Sequence, residues 1–164
     1  MKEIILDTET TGISTKDGHR IVEIGCIELE NLIPTKNKFH CYLNPERKVS
    51  EKALEVHGYT DEFLSKKKKF KEIVNEFLEF IKEKRLIIHN AEFDLSHLNN
   101  ELKIIGKGIL KNDNTTGKER RTGMLQFESL DEFSTNSRIR RYVRNGENIM
   151  KGICIGEYPK QMKI

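Results

Sequence analysis

The chain has 164 residues, 34% of them charged and 36% hydrophobic, and a formal net charge of +3, which permits a nucleic-acid ligand without arguing for one. It is long enough for one domain with a buried core; its apolar runs are far too short for a membrane helix, and no signal peptide is expected ahead of the first strand. Cys26, Cys41 and Cys154 are odd in number and form no C-x-x-C pair, so a zinc site of familiar spacing is excluded and a reduced, cytoplasmic protein is expected.

Lys2 to Leu6 reads as a first strand. Asp7-Thr8-Glu9-Thr10-Thr11-Gly12 stands at its end. In an extended chain residues i and i+2 share a face, so Asp7 and Glu9 would present two carboxylates side by side. Charges held that close repel, and one of them takes up a proton unless something compensates. Divalent cations that prefer hard oxygen ligands, Mg²⁺ or Mn²⁺, are the usual compensation. An acidic strand end running into a Thr/Gly turn is the plain alternative, and D-x-E alone does not decide between the two.

Thr11 to His19, with Gly12 and Asp17-Gly18, reads as a turn, Arg20 to Glu30 as a long strand, and Lys38 to Leu43 as a third strand closed by Asn44-Pro45. Short links between the three predict an antiparallel meander. A short helix is expected to end at His57-Gly58, where a lone histidine is ordinarily a surface or packing residue. Lys66 to Lys69 reads as a solvated lead-in to a helix. In that helix Phe70, Ile73, Val74, Phe77, Leu78 and Ile81 fall on one face. Leu86-Ile87-Ile88 is a short buried strand, and Phe93 to Ile105 a second helix with Leu95, Leu98, Leu102 and Ile105 on one side.

Asp94 lies in His89-Asn90-Ala91-Glu92-Phe93-Asp94, where that strand turns into the helix. Alone, a carboxylate there is most simply a helix cap. Beside a D-x-E on a neighbouring strand it makes a third acid, and converging acids are what two-metal phosphoryl transfer requires. His19, His40 and His97 show no partner spacing and receive no role.

Four blocks in order now carry a family resemblance: Asp7 to Gly12; Gly18 to Gly25; Val56-His57-Gly58 with Asp61-Glu62-Phe63-Leu64; and His89 to Asp94. Their spacing resembles the epsilon (proofreading) subunits of bacterial DNA polymerase III, 3'→5' exonucleases of the DEDD class. The resemblance implies an α/β, ribonuclease H-like exonuclease fold, a mixed sheet flanked by helices, incomplete at the C-terminal end. It implies two divalent cations, Mg²⁺ or Mn²⁺, held by Asp7, Glu9 and Asp94. Glu9 would also lie near the terminal nucleotide, His57 would contact that nucleotide or its phosphate, and the backbone around Thr8 and Thr10 would line the pocket for the last base. The implied partners are a single-stranded DNA 3' end and, by resemblance only, the polymerase III catalytic subunit. The implied products are nucleoside 5'-monophosphates.

The chain also departs from the pattern. The family's third motif, His-x-x-x-x-Asp on a late helix, supplies a general base and a fourth acid, yet no histidine follows His97. Asp113 and Asp131 stand in no such frame, and only Ser129-Leu130-Asp131-Glu132-Phe133 is similar to a family segment there. Lys52 stands where the family tends to have a glutamate. Lys outnumbers Arg sixteen to three up to residue 111 and is outnumbered four to six afterwards, where Asn112 to Gly117 is turn-rich and Arg138 to Arg144 has no clean period. Residues 1–111 therefore read as the exonuclease domain, and 112–164 as a divergent or out-of-frame segment. The coding DNA checks this: an out-of-frame origin predicts a His-x-x-x-x-Asp block in an alternative frame past codon 112, and its absence from both frames leaves divergence.

Overall fold

The two hydrophobic faces of Ile4-Ile5-Leu6 are both covered, as befits a strand with neighbours on either side. In the computed structural model, which describes residues 2–112 and the backbone of 124–125 and 127–129, this strand, β1 (Lys2–Thr10), is central. It pairs antiparallel with β2 (Ile21–Glu30), which pairs antiparallel with β3 (Ile33–Tyr42). On its other side β1 runs parallel to β4 (Arg85–Ile88). The predicted meander is therefore present, and β4 makes the sheet mixed.

Four helices follow the meander or β4: α1 (Glu51–His57), α2 (Asp61–Ser65), α3 (Phe70–Ile81) and α4 (Ala91–Ile104). Short strands β5 (Lys111–Asn112) and β6 (Met124–Leu125) pair with each other, and β7 (Phe127–Ser129) runs parallel to β4, giving the sheet order β3-β2-β1-β4-β7. Asp113, Asp131 and the Arg138–Arg144 stretch lie outside the described residues.

Helix α3 has the predicted bounds, and its stripe of Phe70, Ile73, Val74, Phe77 and Ile81 is buried against Ile4, Leu6, Ile24, Leu86 and Ile88 of the sheet. Leu98 and Leu102 of α4 join this core, with Leu95 and Ile105 partly buried beside it. Phe77 is fully buried, a contribution of roughly 2–3 kcal/mol.

Three boundaries differ from the sequence reading by more than one residue. Strand β1 continues past Leu6 to Thr10, because Asp7, Thr8 and Glu9 still pair with Gly25, Ile24 and Glu23 before a bulge at Glu9/Thr10. Strand β3 begins at Ile33, because its polar first half pairs through backbone while its side chains stay largely exposed. Helix α4 begins at Ala91, with Asn90 as its N-terminal flank. Helix α2, opened by the Thr60 hydroxyl accepting from the Phe63 N–H, is too short to show a period.

The far end of the sheet is clamped by Glu28, whose carboxylate is buried. It accepts from Lys2 Nζ at 3.2 Å, Asn37 Nδ2 at 3.0 Å and the Thr35 hydroxyl at 3.1 Å, and pairs with Lys84 Nζ at 3.0 Å. Burial alone would raise its pKa, but the bonds from Lys84, Asn37 and Lys2 outweigh that and hold it at about 2. Between that value and the ordinary carboxylate pKa of 4.5 the unfolded chain binds the extra proton, so stability rises with pH there. This stabilisation is complete above the unfolded pKa and is lost as pH falls through the folded one. In acid unfolding, Glu28→Gln is expected to remove this part of the pH dependence; an unchanged acid profile would rule the clamp out as its source.

Candidate active site

The parallel register of β1 with β4 pairs Ile4 with Leu86 and Ile5 with Ile87, so the end of β4 arrives beside the end of β1. Residues 89 and 90 then turn the chain into α4, and Asp94 sits in that helix's first turn. Its carboxylate does more than cap the helix: Asp94 Oδ1 accepts from the Thr8 backbone N–H at 3.0 Å and from the Thr8 hydroxyl at 2.7 Å. Only 3% of Asp94 is exposed. Burial pushes its pKa up to about 6, with the Thr8 bonds limiting the rise.

Asp7 lies next to this tether. Burial, then the charges of Asp94 and Glu9, raise its pKa well above the ordinary carboxylate range. Asp7 Oδ2 is sealed from solvent and has no hydrogen-bond partner among the described residues. Glu9 is buried and faces Glu23 across the β1–β2 pair. The structure thus brings Asp7, Glu9 and Asp94 to one end of the sheet, as the sequence predicts. Acidic oxygens, mutual repulsion and an orphaned buried carboxylate oxygen all suit a hard divalent cation. Among the described residues, no three His, Cys, Asp or Glu side chains form a ready-made metal cage. One oxygen of Asp94 is committed to Thr8, and the sequence has no late His-x-x-x-x-Asp block, after His97, to supply the fourth acid of the family pattern.

The remaining expected residues surround the same strand end. Thr10 donates its hydroxyl to the Gly12 carbonyl at 2.8 Å, and its own carbonyl lies 3.2 Å from His57 Nε2. Half-buried His57, the last residue of α1, has its pKa lowered by burial, which the Thr10 contact opposes. Lys52 is exposed on α1. Gly12 has a steric reason: an added Cβ would come 2.4 Å from the His19 ring, whose Nδ1 is bonded to the Thr11 hydroxyl at 2.9 Å.

The sequence reading missed a second support of α4. Glu101 is buried on the same helix face as Asp94 and accepts a two-pronged bond from Arg20, at 2.7 Å from both Nε and Nη2. It also accepts from the Ile21 N–H at 3.1 Å. The signal was present in the spacing, since Asp94, His97, Leu98, Glu101 and Leu102 follow helical periodicity and place acids on the buried face.

The exonuclease family model matches residues 4–148, and the chain belongs to that family. The resemblance to epsilon subunits is borne out. DNA polymerase III subunit epsilon of Rickettsia typhi is 50% identical over 111 residues, covering 68% of this chain and 48% of that relative. The chain thus spans about half the length of the curated relatives it matches. Among solved structures, exonuclease I aligns with a TM-score of 0.67 at 12% identity, over 92% of this chain and 35% of that one. The nuclease domain of 3'hExo, a DEDDh family member bound to rAMP, aligns at 0.56 and 16% identity, over 65% of this chain and 60% of that one. At such identities the likeness shows the fold, and the expected ribonuclease H-like exonuclease architecture is borne out.

Breaking a buried, hydrogen-bonded ion pair from one side leaves an uncompensated charge. Arg20→Ala is therefore expected to destabilise the protein by about 3 kcal/mol in denaturant unfolding. Removing exposed Glu62, which pairs with Lys66 at 3.1 Å, is expected to change stability by less than about 0.5 kcal/mol. Equal effects would contradict a structural role for the Arg20–Glu101 pair.

Proposed function

We propose that the chain is a 3'→5' exonuclease acting on single-stranded DNA ends, in the proofreading role of a DNA polymerase III epsilon subunit. The observation that carries this reading is the convergence of Asp7, Glu9 and Asp94, with Asp7 Oδ2 buried and unpartnered among the described residues, at the strand end of an exonuclease-family fold.

Asp7 and Glu9 would hold divalent cations, Mg²⁺ or Mn²⁺, with Asp94 completing the acid set from α4. When bound, the two cations supply the positive charge that phosphodiester hydrolysis needs at the attacking and leaving oxygens. Thr8 keeps the Asp94 carboxylate fixed, so that the acids meet the substrate already in place. Glu9 and the backbone around Thr8 and Thr10 line the position of the terminal nucleotide. His57 meets that nucleotide or its phosphate from the α1 side. The products are nucleoside 5'-monophosphates. The partner by family likeness is the polymerase III catalytic subunit, and the site of action is the cytoplasm.

No histidine occurs between residues 98 and 164 to serve as general base. General-base assistance is worth about 10² to 10⁴ in rate, so hydrolysis by this chain is expected to be slower than in its relatives by about that factor. The same absence supports a second reading, a non-catalytic module that binds single strands or a polymerase. Residues 112–164 would then form a segment distinct from 1–111, and limited proteolysis leaving a resistant N-terminal core tests that division.

Purified protein with Mn²⁺ is expected to shorten a 3'-labelled single strand slowly, and Asp7→Ala to abolish even that. Family-typical rates that survive in Asp7→Ala would contradict the reading. Strand binding without any Mn²⁺-dependent shortening would favour the non-catalytic module.

A further inference from the structure

His57 is held through both ring nitrogens. The Tyr59 backbone N–H lies 3.0 Å from Nδ1, so Nδ1 is the accepting nitrogen. Nε2, 3.2 Å from the Thr10 carbonyl, must then carry the proton. The ring is neutral and in one tautomer. Gly58, in the left-handed region at φ 77°, makes the turn that folds Tyr59 back onto His57.

Tyr59 also covers the face of the imidazole, with ring centroids 4.8 Å apart and planes 22° from parallel. Its hydroxyl donates to Glu23 Oε2 at 2.7 Å. Glu23 is 1% exposed, lies on β2 opposite Glu9, and accepts from His40 Nε2 through its other oxygen. Tyr42 meets the Tyr59 ring edge-on at 5.1 Å. A continuous path therefore runs from the sheet at Glu23 through Tyr59 to His57 and back to the acid-bearing strand at Thr10. A buried carboxylate carries a desolvation cost, and here one oxygen goes to Tyr59 on this path and the other to His40 on β3.

We propose that Glu23 and Tyr59 are positioning residues for His57: by anchoring residue 59, whose backbone N–H holds Nδ1, they fix the ring plane and its Nε2–H tautomer, so that the terminal nucleotide meets an oriented, neutral imidazole. The proposal rests on the exonuclease reading for what His57 touches. The positioning itself is a property of the free protein. Tyr59→Phe keeps the stacked ring and loses only the hydroxyl. Glu23→Ala removes the acceptor, whereas Glu23→Gln retains an oxygen in the same place.

The first test is the ring ¹⁵N shifts of His57 in the ligand-free, full chain at neutral pH. Wild type and Glu23→Gln are expected to show the Nε2–H tautomer, and Tyr59→Phe and Glu23→Ala a mixture of both. The second is fluorescence anisotropy with a 5'-fluorescein oligo-dT in Ca²⁺. Tyr59→Phe and Glu23→Ala are expected to bind about five- to ten-fold more weakly, with Glu23→Gln within about two-fold of wild type. A folded Tyr59→Phe protein with unchanged His57 shifts overturns the proposal, as does unchanged affinity beside altered shifts. A wild type that binds no strand overturns the exonuclease reading instead, and the ¹⁵N shifts then decide the positioning claim alone.

Discussion

Thr8 reaches Asp94 with both its backbone N–H and its hydroxyl, across 86 residues of sequence, and the site depends on that contact. A strand can present Asp7 and Glu9 together by its own geometry. It cannot supply a third acid, which must come from another element whose position is fixed independently. The parallel β1–β4 pair brings that element near, and the Arg20–Glu101 pair anchors it further along α4. Thr8 then sets the last few ångströms. Charge-assisted bonds of this kind are stronger than neutral ones, which suits a carboxylate that burial would otherwise push toward protonation.

That arrangement has an electrostatic cost in the free protein. Asp7 and Asp94 both hold protons more tightly than free carboxylates, chiefly because they are buried, and for Asp7 also because its neighbours are negative. The sign is opposite to that of Glu28. As pH rises from the unfolded value near 4 through about 6, Asp94 must ionise in a buried place, and the native state loses stability. A bound cation would reverse the balance by neutralising the cluster. The same acids that weaken the free fold at neutral pH are therefore the ones that would favour a metal.

Much of this was legible in the sequence, and the parts that were not have physical reasons. The stripe of α3 and the alternation of β2 are patterns of burial, which hydrophobic periodicity records directly. The pairing of D-x-E with Asp94 was legible through the order of the motif blocks, because spacing along the chain carries family likeness well. The Glu23–Tyr59–His57 path was not. Its members sit on β2, at the end of α1 and in the turn after it, and nothing local to any of them announces the others. His40 showed no partner spacing for the same reason, its partner being a cross-sheet neighbour. Glu101 was hidden by its charge, since acids on a helix are ordinarily read as its solvent face. Lys66 to Lys69 leads into α3, but Lys67 and Lys69 are half-buried, and Lys67 lies 4.0 Å over the Phe63 ring.

The central claim is that Asp7, Glu9 and Asp94 form a site whose negative charge calls for a divalent cation. Thermal unfolding with and without Mn²⁺, at about pH 5 and about pH 7.5, tests it most directly because Asp94, held at about 6, ionises between those values. Mn²⁺ is expected to raise the melting temperature by several degrees at the higher pH and by much less at the lower one, with most of the gain lost in Asp7→Asn. No gain at the higher pH, or a gain that Asp7→Asn leaves intact, would contradict the account.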